Sequence, residues 1–241
     1  MNKMKKVFKV AIYELKLMCF SSKFLILSVL AFIIMDVTVR GYRMFSHDYN
    51  LPIAPAVLPF YFADVSYGNI EILFLLLWFS DVPMKQRVQN QILQRCGMPC
   101  FALGHLFSIV FATIVFVLEQ FVFSVLLCGT NLTFTSWGKV WGSAAAGTVK
   151  KLGYSSGFVI SKNVFQNYTV PQALLFSMTI FLLMGICYGM VEFLLNGLQK
   201  GKLGTVVLSV WSVAWIFLKT NTTDFIPVSY THLRAHETRE D

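Results

Sequence analysis

Charge is what this 241-residue sequence has least of. Asp, Glu, Lys and Arg make up 13% of it, about half the share of an average soluble domain. Recognisable catalytic patterns are missing as well. No GxxxxGK followed by Ser or Thr occurs; "GKVW" and "GKLG" lack both the spacing and the hydroxyl, so the chain carries no P-loop of its own. HExxH and GxSxG are absent, which removes the usual zinc-protease and α/β-hydrolase routes. Of the five cysteines, Cys96 and Cys100 form "CGMPC". Their three-residue spacing fits neither a CxxC redox pair nor a paired zinc site. No Ala-x-Ala-like cleavage site follows the first apolar run, so that run is expected to stay as a helix rather than leave as a signal peptide. No internal repeat is visible.

What the sequence has is apolar length. Hydrophobic residues are 56% of the chain and 23 of them are Phe. Apolar runs approach the roughly 20 residues that cross a bilayer as a helix. The fold class is therefore an all-α membrane protein. Residues 3–20, with lysines at 3, 5, 6, 9 and 16 and apolar residues at helical spacing, predict a basic amphipathic helix in the membrane interface. About five transmembrane helices follow, at 24–39, around 72–79, 103–128, 173–195 and 203–218. The second is short and must borrow from the segment upstream. Residues 40–56 are expected to be a polar connection.

Lys and Arg placement orients the bundle. With the N-terminus inside, the segments 1–23, 80–102 and 196–202 hold eleven of these residues; the longer outside segments before the tail hold seven. This follows the positive-inside rule. The net charge of +8 accordingly predicts an anionic lipid bilayer as the partner surface, and no nucleic acid.

Two groups of residues carry a functional expectation. In the inside loop "FSDVPMKQRVQNQILQRCGMPC", Ser80 or Asp81 can cap a helix that Gly97 and Pro99 stop. Met84, Val88 and Ile92 then form one apolar face beside Lys85, Arg87 and Arg95. A short helix of this kind can dock into a groove on a soluble partner. The second group is intramembrane. Glu119 costs about 2.5–3.5 kcal/mol at a helix centre on insertion scales, which the 17 Leu, Ile, Val and Phe of 103–128 outweigh. Ser108, Ala112, Glu119, Gln120 and Ser124 share roughly one face. Gly185, Gly189, Glu192 and Asn196 do likewise, and Gly185 and Gly189 form a GxxxG pattern suited to close helix approach. Glu71, Glu119, Gln120 and Glu192 are thus the polar candidates inside the bundle, as structural carboxyls or as substrate or partner contacts. No metal site is expected.

The amphipathic N-terminal helix, "LLLWFSDVPMK" at the end of the second span, "TSWGKVWGS" and "YTVPQALL" together resemble a divergent group of bacterial ABC-2-type transporter permease subunits, over about residues 1–227. The resemblance implies a six-helix permease domain in the bacterial cytoplasmic membrane, multi-pass with a cytoplasmic N-terminus, working as a homo- or heterodimer. It implies an exporter, not an enzyme, with the loop 81–97 including the coupling helix to a separate ABC ATPase subunit. No cofactor is bound by this chain; ATP belongs to that partner. The other reading is a non-transporting membrane immunity or sensor protein that binds a partner. Five spans leave the sixth helix missing. The last 14 residues, "VSYTHLRAHETRED", resemble the translation of a transposase adapter used in sequencing libraries. Residues 228–241 are therefore expected to be non-native, with the natural chain continuing beyond Pro227.

Overall fold

A computed structural model describes residues 3–81, 89–129, 131–154, 157–158, 160, 162–198 and 202–219. Among these residues there is no β-strand; one isolated parallel bridge joins Ile53 to Leu132. The adapter-like tail lies outside the described residues.

Helix α1, Lys3–Cys19, buries Val7, Val10, Ala11, Glu14 and Met18 along one stripe, the spacing that 3.6 residues per turn dictates. It packs along the start of α6, where Phe8 stacks on Phe107 with ring centroids 5.5 Å apart. Helix α2 spans Ser22–Asp48 and starts on the Ser21 hydroxyl, which accepts a hydrogen bond from the Phe24 amide at 3.2 Å. At 27 residues it is roughly 40 Å long. The expected first span therefore continues nine residues further than its apolar run. Arg40 and Arg43 sit on its last turns instead of in a loop, and both reach back to Asp36, at 2.7 and 2.9 Å.

The segment 51–63 is the largest departure from the expected polar connection. Ile53, Ala54, Ala56, Val57 and Leu58 have no exposed surface. Its backbone carbonyls are met by side chains far away in sequence. The Trp141 indole donates to Ala54 O at 2.8 Å, and the Ser124 hydroxyl donates to Pro55 O at 2.9 Å. The segment's own Phe60 joins Tyr42, Trp141 and Phe158 in an aromatic cluster. The segment ends in the short α3, Leu58–Tyr61, and leads to α4, Val65–Phe79. Asp64 caps α4: its Oδ1 accepts from the amides of Ser66 and Tyr67 at 3.0 and 3.2 Å.

Helix α5, Gln89–Cys96, is followed at once by α6, Met98–Cys128. Gly97 and Pro99 do not simply stop a helix, as expected. Gly97 has φ of +78°, a conformation most side chains avoid, and makes the break; Pro99 then opens α6 in its first turn. Short helices α7, Gly138–Ala145, α8, Thr148–Lys151, and α9, Lys162–Asn167, cover the buried segment. Helix α10 spans Val170–Leu198 and α11 spans Leu203–Lys219. Three helices, α2, α6 and α10, are long and apolar enough to cross a membrane. Helices α4 and α11, with 15 and 17 residues, fall short of a hydrocarbon core of about 30 Å at 1.5 Å per residue.

Candidate functional site

One end of the bundle gathers the basic elements. The Lys6 ammonium on α1 donates to the Arg95 carbonyl on α5 at 3.1 Å, so α5 lies beside α1 at the N-terminal end of α6. Ile92 is half-buried and Arg95 is exposed. Met84, Lys85, Arg87 and Val88 lie outside the described residues. Ser80 closes α4: its hydroxyl donates to Leu77 O at 2.8 Å. Asp81 joins three elements at this end. Lys23 of α2 hydrogen-bonds to it, and Lys202, just before α11, pairs with it at 2.9 Å. Burial would raise the Asp81 carboxyl, but the hydrogen bonds and charges of Lys23 and Lys202 outweigh it and hold it below the usual range.

At the same end α1 carries an acid the sequence reading passed over. Glu14 is 4% exposed and meets His105 of α6, which is fully buried, at 3.9 Å. That separation makes them neighbours without a hydrogen bond. Burial pushes the Glu14 carboxyl up to about 7. The α1 spacing placed Glu14 between the apolar positions Ala11 and Leu15, and that was the available signal.

Inside the bundle the four polar candidates are spread over three helices, α4, α6 and α10. Glu71 is fully buried on α4; the Tyr61 hydroxyl donates to its Oε1 at 2.8 Å, and its Oε2 has no partner among the described residues. Gln120 is fully buried on α6, with neither amide atom partnered among the described residues. Glu119, one residue earlier, turns off the face shared by Ser108, Ala112, Gln120 and Ser124 and lies half-buried beside Ser28 of α2. Glu192 stands elsewhere, on α10. It accepts a hydrogen bond from Thr205 of α11, and Asn196 one turn on accepts from the Gly204 amide at 2.9 Å. This pair stitches α10 to α11. Gly185 and Gly189 face two helices at once. A Cβ on Gly185 would come within 2.6 Å of Leu75 Cδ2 and 2.7 Å of Thr113 Cγ2; one on Gly189 would come within 2.6 Å of Ile109 Cγ2 and 2.8 Å of Phe79 Cε2.

A cavity of about 330 Å³ lies between α3, α4, α10 and α11, lined chiefly by aromatic side chains with Asp64 and Asn69 as its polar members. No local pattern joins Asp64 to Trp211 and Trp215, which lie 147 and 151 residues away. Among the described residues, no group of three or more His, Cys, Asp or Glu lies together as metal ligands would. The adjacent His47 and Asp48 are exposed and 3.5 Å apart, and Asp48 accepts from the Tyr154 hydroxyl at 2.7 Å. The described residues thus gather basic side chains at one end and line an aromatic cavity in the flank. No protein-family model, curated protein or solved structure matches the chain.

Proposed function

We propose that this chain is the membrane-spanning permease subunit of an ABC-2-like exporter in a bacterial cytoplasmic membrane, coupled to a separate ATPase through residues 81–97. The observation that carries the reading is the joint placement of α1 and α5. An amphipathic basic helix docked on the start of a long apolar helix, with a second short basic helix beside it, makes a platform at one bundle end. A platform of this kind suits a soluble partner that pushes on the helices it rests against. The many exposed apolar residues of α2, α6 and α10 suit a bilayer around them. Helices α4 and α11 would complete five spans, α4 with help from the buried segment 51–63. A second permease chain belongs to the same reading.

The test is co-purification. The ATPase encoded beside this chain's gene is expected to stay bound to the wild-type chain in detergent. Val88→Glu and Ile92→Glu should each abolish that binding while membrane insertion is unchanged, because each puts a carboxylate on the apolar face of the docking helix. Undiminished binding by both variants would contradict the coupling role.

A further inference from the structure

The flank cavity combines features that specify a ligand. Phe62 of the segment after α3 stacks on Phe181 of α10 at 4.1 Å between centroids, and Trp211 stacks on Trp215 along α11 at 6.5 Å. Tyr188 completes five aromatic side chains around one space. Among the described residues, Asp64 brings the only carboxylate to the lining, which holds no described Lys, Arg or His. One of its oxygens caps α4, and it forms no ion pair among the described residues. The positive end of the α4 dipole offsets only about half a charge. Lys219 stands one turn beyond Trp215 on α11 and outside the lining.

Aromatic faces attract cations through their quadrupoles, Trp most strongly, and the attraction grows when the cation is stripped of water. A carboxylate among such faces favours positive charge and repels anions. The space also continues along α10 and α11. A second cavity of about 340 Å³ shares Tyr188 and Trp211 and is otherwise lined by Cys187, Val191, Val207 and Leu208, an almost wholly apolar wall. The geometry points to a binding site for a lipophilic monocation: its charge sits between Asp64 and the Trp211–Trp215 pair, and its apolar body lies along the α10–α11 groove. This names a substrate class for the exporter proposed above and rests on that reading only for the word substrate; binding itself needs no ATPase.

The probe is tritiated tetraphenylphosphonium, titrated onto the purified chain in nanodiscs, with empty nanodiscs subtracted. Tetraphenylborate has the same shape and the opposite charge and is titrated in separate samples, because the two ions precipitate together. The wild-type chain should bind the cation saturably at one site and should not bind the anion saturably. Asp64→Asn should weaken binding about tenfold, since Asn keeps the helix cap but not the charge. Trp211→Leu, at a side chain 57% exposed and so outside the packed core, should weaken binding several-fold without changing the melting temperature. Absence of saturable binding, equal affinity in Asp64→Asn, or equally tight saturable binding of the anion would each overturn the assignment. A cavity filled by a lipid chain or by another protein segment would give the first of these results. Failure of ATPase co-purification would leave the site standing, and failure of cation binding would leave the coupling role standing.

Discussion

Glu14 and His105 meet where α1 lies on α6, and both are buried. The Glu14 carboxyl is raised by burial from 4.5 to about 7, so the folded chain holds its proton more tightly than the unfolded chain does. Its contribution to stability is complete below about pH 4.5 and is lost as pH rises through 7. The linkage is worth on the order of 3 kcal/mol at most. The melting temperature in detergent should therefore fall between pH 5.5 and 8, and Glu14→Gln should remove most of that fall. An unchanged pH profile in the variant would show that Glu14 is not the group responsible. Gly189 makes a second residue-scale test. Gly189→Ala puts a methyl against Ile109 and Phe79 and should cost about 1–3 kcal/mol. Gly197→Ala, on the same helix with nothing within 4 Å, should be neutral or slightly stabilising. Equal melting temperatures for the two variants would contradict the close approach of α10 to α4 and α6. The small-residue spacing made Gly185 and Gly189 visible in the sequence. Glu14 was hidden because a single acid inside an amphipathic stripe has the same spacing whether its side chain turns to water or to a neighbouring helix.

Among the elements, long helices were legible and the buried segment was not. Continuous apolar runs marked α2, α6 and α10 because helix length and hydropathy are local properties. Their ends moved outward by a few residues, most of all in α2, where Asp36 ties Arg40 and Arg43 to the helix. Segment 51–63 has two prolines among its first five residues and no helical period over them, so it resembled a connection. What buries it comes from α6 and α7: the hydroxyl of Ser124 and the indole of Trp141, 69 and 87 residues from the carbonyls they satisfy. No local pattern encodes such partners. Trp141→Phe keeps most of the ring packing but leaves Ala54 O without its donor. It should cost about 1–3 kcal/mol, the penalty of a buried polar group left unpaired, read as a lower melting temperature. A neutral outcome would mean that the segment is not held as described.

At the scale of the whole molecule, charge and packing divide the two ends. One end carries α1, α5 and the Lys23–Asp81–Lys202 cluster; the other carries the buried segment under α7, α8 and α9. The Lys and Arg count predicts that the first end is the cytoplasmic one. The flank cavity was not legible, because it exists only once α4, α10 and α11 stand together. The proposed coupling role requires the α5 end to face the compartment that holds ATP, and the direction of the chain through the membrane tests this most directly. Single-cysteine variants at Arg95 on α5 and Lys139 on α7, both exposed, are made with the five native cysteines replaced by Ser. A membrane-impermeant maleimide is then applied to intact cells and to cells opened beforehand. The account predicts that Lys139→Cys labels in intact cells and that Arg95→Cys labels only after opening. Labelling of Arg95→Cys in intact cells, with Lys139→Cys protected until opening, would place α5 on the wrong side of the membrane and contradict the account.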